Sequence, residues 1–235
     1  MQEATDRRDE FLAMLGHELR NPLAPIANGV VLLRRLNAAN PDVARICDMV
    51  DRQISSMRRL LDDLLDVTRL HQGKLRFERR PLDLQPVAQS AIEACRPFLE
   101  RRGQQLIIEL PPQPLTVLGD ATRLSQAIAN LLNNAIKYTP HAGSIVIRAR
   151  LQDGQVMLSV RDSGIGITPA LLPRIFELYV QGDQGAGVPH TGLGVGLALV
   201  DSIVQAHGGT IRAFSDGRDQ GSEFVLTLPY VDESG

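Results

Sequence analysis

The sequence predicts a chain of two parts: an α-helical hairpin that becomes a four-helix bundle on dimerisation, followed by an α/β sandwich. Three observations predict it. Apolar residues from Arg7 to Leu70 recur every three or four positions, as on one face of a helix. After His71-Gln72-Gly73-Lys74 the pattern changes to short strand-like runs mixed with helices, and 235 residues suffice for two ordinary domains. The expected division is a hairpin over 1–72 and a sandwich over 73–235.

In the hairpin, Leu12, Leu15, Leu19, Ile26, Val30 and Leu33 form the stripe of the first helix. Asn37-Ala38-Ala39-Asn40-Pro41 breaks it, as a tight turn between helices would. In the second helix Val43, Val50, Met57 and Leu64 stand seven apart, with Ile46, Ile54, Leu60, Leu61 and Val67 between them, which resembles a coiled-coil seam. Two long helices with one stripe each cannot close a core alone, so a homodimer through residues 8–70 is expected.

In the second part, strands are expected at Leu75–Glu78, Gln105–Glu109, Ser144–Leu151, Val156–Asp162, Thr210–Ser215 and Ser222–Leu228, with a turn at Asp153-Gly154. Helices are expected at Leu84–Glu100, Ala121–Tyr138 and Leu197–Ala206. That order suits a mostly antiparallel sheet covered by helices on one face. Between Gly164 and Gly196 the chain is rich in glycine and weakly periodic, and a long irregular stretch inside a compact domain is usually a functional lid.

Bulk composition narrows the function. A formal charge of -2 leaves no electrostatic footprint for nucleic acid. Cys47 and Cys95 lie on expected helices without CxxC spacing and read as reduced, packed thiols of a cytoplasmic protein. No apolar run approaches the ~20 residues that span a bilayer, so no direct membrane contact is expected of this stretch, although a longer parent protein with a sensing domain could be membrane-anchored.

Each helical residue advances by about 100°, which puts His17 opposite the first stripe and facing solvent. A solitary exposed histidine commonly does nothing, but this one has a carboxylate beside it in Glu18, an amide one turn on in Asn21, and Pro22 to kink the helix. A neutral imidazole is a nucleophile near neutral pH, and a carboxylate that takes the proton from its other nitrogen strengthens it. Asn21 suits the orienting of a water for the reverse hydrolysis. Zinc binding of the HExxH kind fails, because Asn21 stands where the second histidine is needed.

The helix Ala121–Tyr138 has an apolar side, Leu124, Ile128, Leu131, Leu132 and Ala135, and a polar side with Arg123, Gln126, Asn130, Asn134, Lys137 and Tyr138. Two asparagines one turn apart are poor helix formers, yet their carbonyl oxygens suit a hard cation such as Mg²⁺ together with phosphate oxygens and water. Lys137 can reach a phosphate. Asp162 ends a strand and can accept from an adenine amino group, while Gly164 and Gly166 let the backbone turn closely around a base. Thr191-Gly192-Leu193-Gly194-Val195-Gly196 opens a helix, where backbone N–H groups can meet phosphates. Neither GxxxxGK[ST] nor the Rossmann GxGxxG is present, the latter needing Gly where Leu197 stands.

The string His17-Glu18-Leu19-Arg20-Asn21-Pro22-Leu23 resembles, without a gap, the phosphoacceptor box of sensor histidine kinases. Asn130–Tyr138, Asp162–Gly166, Phe176–Tyr179 and Gly192–Gly196 resemble, in order, the asparagine, first-glycine, phenylalanine and second-glycine boxes of that family's ATP domain. The resemblance implies a Bergerat α/β sandwich of the kind in gyrase B, holding ATP and Mg²⁺ under a lid. It implies that His17 is phosphorylated, with Glu18 as its acid/base partner and Asn21 contributing to phosphatase action. The phosphoryl group would then pass to an Asp of a response-regulator receiver domain. The sequence departs from the commonest pattern at Leu178-Tyr179 and Pro189-His190, and Gln181–Thr191 carries no Lys or Arg. A second reading therefore stands beside the kinase: a dimeric ATP-binding module acting mainly as a phosphatase or as a docking switch.

Overall fold

The computed structural model describes residues 23, 25–36, 40–71, 77–181 and 194–232. The chain forms two compact units, 1–75 and 76–235. Among the described residues, no helix is long and apolar enough to cross a membrane.

The first unit pairs helix α1, residues 25–36, with α2, Pro41–His71. Asn40 starts α2, its Oδ1 accepting the N–H groups of Asp42 and Val43. The packed seam is Leu23, Val30, Cys47, Ile54 and Leu61, with Ala27, Val43 and Val50 against it. This corrects the expected stripes. Ile26 and Leu33 are about half exposed, as are Ile46 and Met57, because each helix carries two apolar stripes and one hairpin covers only one of them. Cys47 is a buried thiol in that seam, and Cys95 is buried in the second unit; neither is in a disulfide. The ion pairs from Arg34 to Asp48 and Asp51, each 2.8 Å, lie on the surface, where such pairs contribute little.

The second unit runs β1 (Arg80–Asp83), α3 (Leu84–Arg101), β2 (Gln105–Glu109), β3 (Thr116–Gly119), α4 (Ala121–Tyr138), β4 (Ser144–Gln152), β5 (Gln155–Asp162), a 3₁₀ turn (Leu172–Arg174), α5 (Gly196–Ala206), β6 (Thr210–Phe214) and β7 (Ser222–Pro229). Five strands form one sheet in the order β2-β4-β5-β7-β6, parallel at β2–β4 and antiparallel elsewhere, while β1 and β3 pair separately. Alternation along β4 and β5 buries Ile145, Ile147, Val156, Leu158 and Val160. Helix α4 packs on β5 and α5 on β6 and β7, and in their apolar faces Leu124, Ile128, Leu131, Leu132, Leu199 and Ile203 are buried. The Asp153-Gly154 turn has φ of 51° and 70°, as a tight hairpin of primed type requires. Of the strand expected at Leu75–Glu78, Phe77 and Glu78 are irregular and Leu75 and Arg76 lie outside the described residues; the first strand among the described residues is Arg80–Asp83.

Helix α4 is held at both ends. Asp120 caps its start, Oδ1 accepting from Thr122 and Arg123. At its end, Arg102 Nη1 donates to the carbonyls of Ile136 (2.7 Å) and Lys137 (3.1 Å), and buried Gln104 Nε2 donates to those of Ile136 (3.1 Å) and Thr139 (2.8 Å). These side chains satisfy the carbonyls a helix end leaves open, and the guanidinium complements the helix dipole. Gln104→Leu should lower the stability of this unit by about 0.5–1.5 kcal/mol, since it removes one buried donor from the Ile136 and Thr139 carbonyls and leaves them to Arg102. Thermal unfolding checks this, and a variant that melts with the parent would deny Gln104 the role.

Candidate nucleotide site

On α4 the buried face is the apolar one, and Asn130, Asn134, Lys137 and Tyr138 are only partly buried on the other. The Asn130 side-chain nitrogen is buried and has no hydrogen-bond partner. It lies 4.0 Å from where a Cβ on Gly196 would be, so the asparagine sits against the first residue of α5. That helix starts at Val195 with no side-chain cap and no acid in its first turn, which leaves its first N–H groups to an outside acceptor. Lys137 Nζ is 3.0 Å from the Tyr138 hydroxyl, to which it donates, and 4.7 Å from the centre of that ring.

Asp162 ends β5 beside the C-terminal end of α4. Its Oδ1 accepts the Gly164 N–H at 2.7 Å and its Oδ2 accepts the Ser222 hydroxyl. Burial pushes the carboxyl above its ordinary range, while the hydrogen bonds from Ser222 and Gly164 pull the other way. The turn after it is clamped to α4, because the Ile165 N–H donates to the Tyr138 carbonyl at 3.2 Å. A Cβ on Gly164 would stand 2.5 Å from that carbonyl, and one on Gly166, with φ +68°, 1.9 Å from the carbonyl of Gly217. The close approach these glycines permit is therefore to the chain's own backbone, a different reason from the base contact expected of them.

Around α4, then, stand its own Asn130, Asn134, Lys137 and Tyr138, with Gly196 against Asn130 and the Asp162–Gly164 turn against Tyr138, while Gly166 stands on Gly217 and Gly194 on Tyr179 and Val180. Phe176 is tied to the sheet by an edge contact on Phe224 of β7, ring centres 6.3 Å apart. Tyr179 closes on the start of α5: its N–H donates to the Gly194 carbonyl at 3.0 Å. Both residues have positive φ, 65° and 69°, and a Cβ on Gly194 would meet the Val180 carbonyl at 2.8 Å. His17, Glu18, Asn21, Thr191, Gly192 and Leu193 lie outside the described residues.

Sequence reasoning missed Ser222, Ser215 and Gly221. Ser222 sits opposite Asp162 in the β5–β7 register. Ser215 Oγ accepts from the Ile167 N–H and donates to the Gly221 carbonyl, and Gly221, with φ +69°, leaves no room for a Cβ against the Asp162 carbonyl. Strand register was the missing signal. Among the described residues a groove of about 560 Å³ also lies on the open face of the sheet, lined by Arg148, Arg150, Met157, Arg212 and Phe214. It includes none of the residues gathered around α4.

Comparison with known proteins gives this arrangement a family. Residues 119–232 match the histidine kinase-, DNA gyrase B-, and HSP90-like ATPase domain, and residues 7–73 match the His Kinase A (phospho-acceptor) domain. The probable sensor histidine kinase TcrY of Mycobacterium tuberculosis is 34% identical over 220 residues, which is 94% of this chain and 45% of that protein. The adaptive-response sensory kinase SasA of Synechococcus elongatus is 34% identical over 238 residues, 97% of this chain and 61% of that one. Among solved structures, full-length ShkA in complex with AMPPNP aligns with a TM-score of 0.76 at 28% identity, covering 96% of this chain and 47% of that one. The Acinetobacter baumannii histidine kinase AdeS aligns at 0.65 and 25%, covering 92% and 98%. The chain thus spans roughly half the length of the first curated relatives it matches. With a phosphoacceptor domain and an ATPase domain following each other along nearly its whole length, the chain belongs to the two-component sensor histidine kinases.

Proposed function

We propose that residues 73–235 bind ATP and that its γ-phosphoryl group is transferred to His17 in the hairpin of residues 1–72, and from there to an aspartate of a response-regulator receiver domain. The observation that carries this reading is the buried, partnerless amide of Asn130 beside the uncapped start of α5. An unsatisfied buried amide costs about 1–3 kcal/mol, and a phosphate chain lying between α4 and α5 would satisfy it along with the free N–H groups. Asp162 takes the adenine amino group, and Lys137 reaches the phosphates. In the transfer, a neutral ring nitrogen of His17 attacks the γ-phosphorus, an N–P bond forms, and the bond to the bridging oxygen breaks to release ADP. Glu18 accepts the proton from the other ring nitrogen. Attack by the receiver carboxylate then breaks the N–P bond and restores the imidazole.

The donor set fits a divalent cation held with its nucleotide. Among the described residues no group of three His, Cys, Asp or Glu gathers, so the Asn130 and Asn134 amide oxygens, phosphate oxygens and water are the ligands available, a set that suits Mg²⁺. When bound, Mg²⁺ neutralises phosphate charge. Asn134→Ala should cut Mg²⁺-dependent phosphorylation by at least about tenfold, the loss of one oriented charge-stabilising contact. Unchanged turnover across a Mg²⁺ titration would remove Asn134 from the site.

Homodimerisation through residues 8–70 is supported by the apolar side chains the hairpin leaves exposed, Ile26, Leu33, Leu36, Ile46 and Met57. The proposal is tested by incubating the full chain with labelled ATP, locating the phosphate, and chasing it into receiver domains. Binding of ATP with no label on His17 would favour the docking-switch reading.

A further inference from the structure

His207 follows α5, is 5% exposed, and belongs to none of the boxes described above. Its Nδ1 lies 2.7 Å from the Ile203 carbonyl, which can only accept, so Nδ1 carries a proton. Its Nε2 lies 3.0 Å from the Asp120 nitrogen, whose N–H donates, so Nε2 is bare. The ring is thus held neutral in a single tautomer; burial favours that form, and nearby Arg79 disfavours a second positive charge. A Cβ on Gly119 would stand 3.2 Å from His207 Cδ2, so the ring is pressed against the backbone just before α4.

The same ring holds the first described residues of the second unit, ahead of β1. Phe77 sets its edge on His207 with centres 5.4 Å apart and planes at 83°, and the Arg79 guanidinium lies 5.8 Å over the Phe77 ring. The Glu78 N–H donates to Asp120 Oδ2 at 3.1 Å, while Oδ1 of the same carboxylate caps α4. One aspartate therefore serves the leading segment with one oxygen and the nucleotide helix with the other. Phe77 to Arg79 lie outside any strand, and among the described residues a ring contact and a hydrogen bond from one backbone N–H fix them, far less than the ladder that starts at Arg80 opposite Gly119.

We propose that Phe77, His207 and Asp120 form a latch through which the segment ahead of β1 sets the start of α4, the helix carrying Asn130 and Asn134. Phe77 and His207 are then positioning residues for phosphoryl transfer, a role that rests on the kinase reading above. Releasing the latch frees Asp120 Oδ2 and the His207 ring together, and it changes how the start of α4 is held without touching the nucleotide.

The test uses the full chain and three variants: Phe77→Ala, His207→Leu and His207→Gln, the last retaining an acceptor for the Asp120 N–H. Hydrogen exchange at the amides of Glu78 and Asp120 should speed up at least about tenfold, and together, in Phe77→Ala and His207→Leu. His207→Gln should keep Asp120 protected. The rate of His17 phosphorylation should shift at least about fivefold in Phe77→Ala with KM for ATP within about twofold, a split that simple destabilisation does not give. Asp120 exchange unchanged by Phe77→Ala overturns the latch. So does a loss in which KM and kcat worsen in step with a falling melting temperature. If the unaltered chain takes up no phosphate at all, the kinase reading fails and the role in transfer goes with it, while the exchange rates still decide whether the latch exists.

Discussion

Replacing His17 with glutamine should reduce incorporation of acid-labile phosphate to background while leaving nucleotide affinity unchanged. The two effects separate because the phospho-acceptor domain and the ATPase domain are different parts of the chain, 7–73 and 119–232 by family match. Glutamine keeps polarity and approximate size but has no ring nitrogen to form an N–P bond. The measurement is labelled ATP uptake followed by acid treatment, beside a direct binding titration with a nonhydrolysable analogue. Label that persists at an acid-labile site would place the acceptor at one of the other four histidines, since the chain has five.

The second large effect is expected at Asp162. Asp162→Asn can keep an acceptor for the Gly164 N–H, and the Ser222 hydroxyl can turn from donor to acceptor, so the turn should survive. What the proposed site would lose is a charge-assisted bond to an adenine amino group, worth about 1.5–3 kcal/mol, so Kd for ATP should rise about 10- to 100-fold. Asp162→Ala should add a cost in stability, because it strips the acceptor from the Gly164 N–H and the Ser222 hydroxyl together. Ser222→Ala, which removes only the hydroxyl, should fall well short of either. Calorimetry with ATP and with GTP is the check. An Asp162→Asn protein that binds ATP like the parent would show that the base is read elsewhere.

How much of this was legible beforehand follows from what each element depends on. Helix α4 was readable to its last residue because its two faces differ along 18 residues and Asp120 and Thr139-Pro140 bound it. Strand β2 was equally clear, an apolar run between a Gly turn and a Pro-rich stretch. β1 and β3 were not, since four residues containing a proline or following several carry too little period to register. Leu75-Arg76-Phe77-Glu78 alternates like a strand, yet Phe77 spends its ring on His207 and never joins a ladder. In the hairpin the error was one of choice: Leu23 and Val30 share their helix with Ile26 and Leu33, and sequence does not tell which stripe meets the neighbouring helix of the same chain. At the site, the chemistry-bearing asparagines, aspartate and glycines stood out by type. Ser222 and Gly221 did not, because they matter only through a strand pairing sixty residues away from Asp162.

The hydrogen bond from Tyr179 to Gly194 has a consequence for how such a chain can vary. It holds two points of the chain together, so whatever joins them spans fixed anchors. Lengthening a connection closed in that way costs only about 0.6 kcal/mol for each doubling. An insertion directly after Gln181, away from the Thr191–Gly196 glycine box, should therefore leave α4, the Asp162 turn and the start of α5 where they are, which makes this the place to graft a reporter peptide without redesigning the scaffold.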